Sequence, residues 1–375
     1  MIYLDNAATT KPDSAAVERA MVYLNEKFYN PSAVYHSGHA LSLELKEARR
    51  NILSNIADVN TFELVFTSCG SEADNQAVFS CGRRGNVVTS EGEHSAILSA
   101  VAELKNRGIE VRFAPLCSDG SVNVEALLSL VDEKTSLVTV MHVNNETGAI
   151  NDINAIAKRI KAKYPRVLFH SDGVQAFGKL RYRLSKDVDL YSISAHKIGG
   201  LKGTGALIKR KSLVLHPYIY GGGQESGLRS GTENVFGIKT LEYAAAAKYQ
   251  KLSETYERMA QYNRTVRQGL NGEIFSCISG ENASPYILSV AAKGMRGETL
   301  LHMLDDAGVM VGTGSACSSN EKKRYSHVIL ACGYDKTVAD GILRISFSAD
   351  TTEEEVNRAI AVINRVGSEL KEKMA

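Results

Sequence analysis

Lys197 is the residue whose placement first suggests chemistry. It stands in YSISAHKIGG, residues 191–200, just after a run from Val188 to Ile193 that reads as a buried strand. An ammonium at such a strand end is costly to desolvate. A lysine held there tends to give up its proton and become a nucleophile for Schiff-base chemistry. The ordinary alternative is a lysine that ends a strand and reaches solvent along its methylene stem. Other strand-like runs end in equally polar residues. ELVFTS (63–68) is followed by CGSEADN, where Gly70 and Ser71 open a helix, and NVVTS (86–90) by EGEH, ending in His94. SLVTVMHV (136–143) leads to Asn144, Asn145 and Glu146, and RVLFHS (166–171) to Asp172 and Gln175. Ser71 with Asp74 also has the spacing of a plain helix cap. Convergence of an anion-binding turn, an imidazole, amides, a carboxylate and a lysine on one sheet edge would need more than capping to explain it.

The elements that position these residues follow from hydrophobic period. The runs at 63–68, 86–90, 110–114, 136–143, 166–171, 189–194 and 205–209 are short and strand-like. Helical patterns at 71–81, 95–107, 124–130 and 153–163 separate most of them. Such alternation predicts a mostly parallel α/β sheet with helices on both faces, and ligands in such sheets sit beyond the carboxyl ends of the strands. Upstream lie a short extended piece, a helix from Ala15 to Phe28, the loop NPSAVYHSGH (30–39) and a helix carrying Leu41, Leu45, Ala48 and Ile52. Downstream, the glycine-rich YGGGQESGLRSGTEN (220–234) precedes one long helical pattern from Val235 to Leu270. Residues 285–375 mix strands and helices, with Thr352 and Glu355 spaced as a capping box before the last helix. The expected organisation is a large α/β domain over 13–250, with a seven-stranded sheet, and a smaller α+β domain built from 1–12 and 251–375.

Composition removes several classes. The chain has 375 residues, 44% hydrophobic and 23% charged, with net charge +2 from 44 basic and 42 acidic side chains. That balance is globular and gives no electrostatic case for nucleic acid or membrane. No signal-like amino terminus or membrane-spanning apolar run is read, so a cytoplasmic protein is expected. The six cysteines lack C-x-x-C spacing, and neither a disulfide framework nor a metal site is expected. Cys81, Cys277 and Cys332 read as inert buried thiols.

A Schiff-base lysine, an aspartate and a phosphate cup at a helix start are what pyridoxal 5'-phosphate needs. The lysine holds the aldehyde as an imine, and the aspartate keeps the ring nitrogen protonated so the ring accepts a carbanion's electrons. Backbone N–H groups at the helix start suit a dianionic phosphate. The chain resembles the cysteine desulfurases, in the class V aminotransferase branch of fold type I pyridoxal-phosphate enzymes. The resemblance runs from YLDNAATT (3–10) through NPSAVYHSGH, FTSCGSEADN, HVNNETG, HSDGVQAFGK, SAHKIGGLKGTGAL, GGGQESGLRSGTEN and GSACSS to LRISFSADTTEEE.

The resemblance implies a role for each matching position. Lys197 carries the cofactor, Asp172 pairs with its ring nitrogen, Gln175 meets the ring hydroxyl and His94 stacks on the ring and handles protons. Gly70, Ser71, Ser194 and His196 hold the phosphate, and Thr232 reaches it from a second subunit, so a homodimer is expected. Asn145 lies near cofactor and substrate, Asn30 approaches the substrate, and Arg344 binds its carboxylate with the guanidinium fork. Cys317, in GTGSACSSNEKK, takes sulfur from L-cysteine as a persulfide, leaves alanine, and passes the sulfur to an acceptor protein such as an iron–sulfur scaffold or a thiolation enzyme. Lys322, Lys323 and Arg324 nearby favour its thiolate. Cys69 stands where the family commonly has glycine and Ser71 where it has threonine, which keeps the hydroxyl. The run NEKKRYSHVI is more basic than usual, and SFSAD follows Arg344 where the family ends differently; both bear on the acceptor. Alternatives are a selenocysteine lyase or other class V lyase or aminotransferase, and a non-catalytic sulfur-transfer scaffold.

Overall fold

The computed structural model describes residues 1–314 and 325–374. A seven-stranded sheet lies at its centre, in the order Phe62–Thr67, Gly205–Arg210, Leu190–Ser194, Leu168–Asp172, Thr135–Thr139, Asn86–Ser90, Glu110–Ala114. All neighbours are parallel except along Gly205–Arg210, which runs against both of its own. Adjacent residues on these strands face opposite apolar layers. Tyr191, Val88, Val138 and Ile208 join one core cluster, and Leu190, Val87, Leu137 and Leu207 join another. Burial on both faces is why the strands read as unbroken apolar runs. The expected mostly parallel α/β architecture is therefore present.

Thr135–Thr139 ends sooner than the apolar run predicts. Backbone bonds continue from Val140 N to the His170 carbonyl and from His142 N to the Asp172 carbonyl, but the chain then turns through Asn144, whose Oδ1 accepts from Glu146 N and Thr147 N at 2.9 Å. The helix expected over 15–28 is broken into Ser14–Ala20, capped by Asp13, and Val22–Asn25.

The long helix expected from 235 to 270 is two, Val235–Gln250 and Leu252–Gly269, parted at Lys251 with φ −111° and ψ 18°. Neither glycine nor proline marks that break. Packing sets it, since the first helix lies on Ser14–Ala20 and His36–Ser54 and the second on Glu353–Met374. That last helix begins with the capping box: Glu355 N donates to Thr352 Oγ1 at 3.2 Å, and Thr352 N to Glu355 Oε2 at 2.9 Å.

Ile287–Ala292 forms a smaller antiparallel sheet between Ile342–Ser346 and Phe275–Cys277, a strand the sequence did not announce. The amino-terminal Ile2–Tyr3 pairs in parallel with Val309–Met310. Its Ile2 and Leu4 enter the core of this carboxyl-terminal layer, which also takes Val143, Ala176 and Leu180 from the large-sheet side. The chain's first residues are thereby held between both layers. Cys81 and Cys332 are buried, which pushes both thiols up to about 12. Cys277 is exposed, contrary to expectation, because it ends an edge strand.

Candidate active site

Six of the seven strands point the same way, so their carboxyl ends share one edge. A cavity of about 210 Å³ opens there. Gly70, Ser71, Ser194 and His196 line one part, His94, Asp172, Gln175 and Lys197 another, and Asn145 and Arg344 a third. Residues up to 337 positions apart in the chain meet there because topology brings them together, not local sequence.

Lys197 ends a short 3-10 turn, Ala195–Lys197, that follows strand Leu190–Ser194 directly. Its Nζ donates to the carbonyls of Ala7 at 2.6 Å and Ala8 at 2.8 Å. Asp172 ends the neighbouring parallel strand, in register with Ser192. Its Oδ1 accepts from Val174 N at 2.9 Å. Burial pushes this carboxyl up, and the charges of His94 and Lys197 pull against that. Gly173 beside it is required by packing, since a Cβ there would lie 1.8 Å from the Tyr191 ring. Asp74 is buried with its Oδ1 3.7 Å from His170 Nε2, and burial followed by the Asp172 charge pushes it well up. It does not cap its helix with Ser71. Glu72 instead accepts from Ser68 N at 2.8 Å and binds Arg229 at 2.9 Å.

His94 is the N-cap of helix Ser95–Asn106 and its Nδ1 accepts from Ala96 N at 3.2 Å. The proton of the neutral ring therefore sits on Nε2. Burial holds His94 below the usual imidazole range; Asp172 opposes this, while Lys197 and Arg344 reinforce it. Burial and the neighbouring Lys197 charge lower His196 to about 4. Gln175 donates from Nε2 to the Ala7 carbonyl at 2.8 Å and accepts at Oε1 from Lys179 at 2.8 Å. Burial, then the cations Lys197, Lys248 and Arg344, lower Lys179 to about 7.

Arg344, on strand Ile342–Ser346, donates from Nη1 to the Asn145 carbonyl at 2.9 Å and from Nη2 to Asp5 at 2.7 Å. Ala7, Ala8 and Asp5 were not singled out from the sequence; their signal was the small, polar YLDNAATT. Asn30 and Thr232 are both exposed and lie away from the cavity lining. The Asn30 side chain closes a local turn onto Ser32 N at 2.9 Å. Cys317 lies outside the described residues. The described positions that bracket it meet one carboxyl: Ser326 Oγ donates to Glu146, and a Cβ on Gly314 would come 2.5 Å from Glu146 Oε2.

The residues present fit pyridoxal phosphate. Helix Gly70–Cys81 starts at Cys69 with no side-chain cap, so its first N–H groups lack intrahelical partners. Ser194 Oγ beside it is buried and unpartnered. A Cβ on Gly70 would stand 2.8 Å from Val174, so the cradle exists because that side chain is missing. N–H groups, a hydroxyl and the helix dipole suit a dianion. The buried Asp172 carboxylate is a counter-ion for a protonated ring nitrogen, and Lys197 supplies an amine.

Residues 2–359 match the Aminotransferase class-V family. A cysteine desulfurase of Bradyrhizobium diazoefficiens is 34% identical over 99% of this chain and 95% of its own length. The cysteine desulfurase IscS of Dictyoglomus turgidum is 35% identical over 99% and 95%. Among solved structures, a NifS-like protein superposes with TM-score 0.91 at 34% identity, covering 98% of this chain and 99% of its own. A NifS-like protein from Rickettsia africae does so with 0.90 at 28% identity, covering 98% and 99%.

Proposed function

The chain belongs to the class-V aminotransferase family, in its cysteine desulfurase branch, and on that premise we propose how it converts L-cysteine to L-alanine using pyridoxal phosphate. The observation that carries the reading is the meeting of Lys197, Asp172, His94 and the uncapped helix start at Gly70 in one cavity with Arg344.

Gly70, Ser71, Ser194 and His196 would hold the cofactor phosphate, Lys197 its aldehyde carbon, Asp172 its ring nitrogen and Gln175 its ring hydroxyl. Bound there, pyridoxal phosphate supplies an electron sink for the substrate's α-carbon. His94, held neutral and accepting at Nδ1, offers its proton from Nε2 and so works first as a donor. Arg344, with Asn145 beside it, binds the substrate carboxylate and orients the side chain's sulfur. The Cys317 thiolate attacks that sulfur. A sulfur–sulfur bond forms, the substrate's carbon–sulfur bond breaks, and its electron pair returns to the carbon skeleton, which leaves as alanine after protonation. The persulfide on Cys317 then passes to a sulfur acceptor, for which an iron–sulfur scaffold or a thiolation enzyme is the reading.

The proposal includes a homodimer in which exposed Thr232 completes the partner's phosphate site and Asn30 approaches substrate. The loop carrying Thr232 is tied to its own phosphate helix through Arg229 and Glu72, which supports a defined placement. The reading also includes a cytoplasmic location. The test is reconstitution of the purified chain with pyridoxal phosphate. The wild type should turn yellow and Lys197→Ala should not; a colourless wild type would end the reading.

A further inference from the structure

Gln175 is a side-chain amide at the cavity edge whose two ends are both claimed by neighbours. Its Nε2 donates to the Ala7 carbonyl and its Oε1 accepts from Lys179 Nζ, both at 2.8 Å. An amide is nearly symmetrical in shape, so only hydrogen bonding decides which end faces where. A carbonyl accepts only, and Lys179 Nζ keeps N–H bonds to donate whether charged or neutral. Both neighbours therefore favour the same orientation, with the NH₂ group toward Ala7 and the oxygen toward Lys179.

Lys179 is an expensive residue to keep in this place. It is 6% exposed, four positions after Gln175, and among the described residues no carboxylate forms an ion pair with it. Its charged neighbours are cations, Lys197, Lys248 and Arg344. Burying an ammonium among cations is unfavourable, and an apolar residue would serve packing better. The Ala7 carbonyl, moreover, is shared with Lys197 Nζ at 2.6 Å, so it is not a dedicated partner for Gln175.

We propose that Lys179 is a positioning residue that fixes the polarity of the Gln175 amide, so that Nε2 and never Oε1 faces the ring oxygen of the cofactor. The inference rests on the reading of Gln175 as the ring-hydroxyl partner. A donor at that oxygen favours its ionised form and weakens its hold on the neighbouring Schiff-base proton, whereas a flipped amide would present a second acceptor and do the opposite.

The test is the pH titration of the visible band of the reconstituted holoenzyme. Gln175→Leu should raise the midpoint, and Lys179→Met should raise it too, by roughly half a pH unit or more. Lys179→Met placed on Gln175→Leu should add nothing, because no amide is left to orient. Lys179→Gln, which restores a neutral donor, should bring the midpoint back toward wild type. Additive shifts in the double variant, or a Lys179→Gln midpoint equal to that of Lys179→Met, would show that Lys179 acts through its own charge and would overturn the proposal. A shift in Gln175→Leu with none in Lys179→Met would overturn it as well while leaving the Gln175 reading intact. No shift in Gln175→Leu would instead remove that reading itself.

Discussion

Arg344 donates to the Asp5 carboxylate at 2.7 Å across 339 positions of sequence, while its Nε is buried without a partner. The guanidinium is thus aimed by one carboxylate and one carbonyl. Lysine at this position would keep the charge and lose the fork. Arg344→Lys is expected to lower kcat/KM for L-cysteine by about tenfold to a hundredfold, with the visible band of the holoenzyme unchanged. Steady-state alanine formation and an absorption spectrum check it, and unchanged kcat/KM would remove Arg344 from the carboxylate site.

Glu225 has φ +50° and is buried, and it accepts from Arg49 at 2.6 and 2.9 Å and from Phe66 N at 2.8 Å. These bonds tie the glycine-rich loop to the edge strand of the sheet and hold a backbone conformation that non-glycine residues rarely adopt. Removing the carboxylate leaves a part-buried guanidinium with the Leu64 carbonyl and takes the acceptor from the buried Phe66 N–H. Glu225→Ala should cost roughly 2–4 kcal/mol in urea unfolding. A loss within the error of the wild type would mean that the loop is held by other contacts.

Glu93 is fully buried, which pushes its carboxyl up to about 8; Ser90 and Met141 N hold it down, and the Asp172 charge adds to the rise. Unfolded, the same group ionises near 4.3. Between those values the folded state holds a proton that the unfolded state has lost, so stability falls as pH rises through this window. Glu93→Gln keeps the neutral shape and removes the titration. The apoprotein's Tm should drop from pH 6 to pH 8 by roughly 2–4 °C more in the wild type than in Glu93→Gln. Parallel Tm profiles would show that Glu93 does not hold its proton.

How much of this was legible depends on what carried the signal. Strands buried on both faces leave continuous apolar runs, so their ends, and with them Asp172, His94 and Lys197, could be marked from sequence. The break at Lys251 could not, because nothing local forbids helix there and only packing interrupts it. The carbonyls of Ala7 and Ala8, which hold Lys197, were invisible because a backbone acceptor has no side-chain signature. Asp5 carried no signal of its own until the fold set it against Arg344. Lys179 looked like one of 44 basic residues, and only its burial makes it unusual.

Thr232 is exposed and is not among the residues that line its own chain's cavity, which suits the reading of a partner-completing residue. The holoenzyme should run in solution at twice the 40.7 kDa chain mass, and Thr232→Ala should weaken cofactor retention in dialysis without dissociating the dimer. A fully active monomer would contradict the shared site.

In the proposed reaction, sulfur leaves L-cysteine onto Cys317. The most direct measurement of this step is the yield of alanine and sulfide from L-cysteine under reducing conditions, for the wild type beside Cys317→Ser, both loaded with pyridoxal phosphate. The wild type is expected to give equal amounts of alanine and sulfide, and Cys317→Ser an unchanged visible band with no sulfide. Full sulfide production by Cys317→Ser would contradict that step.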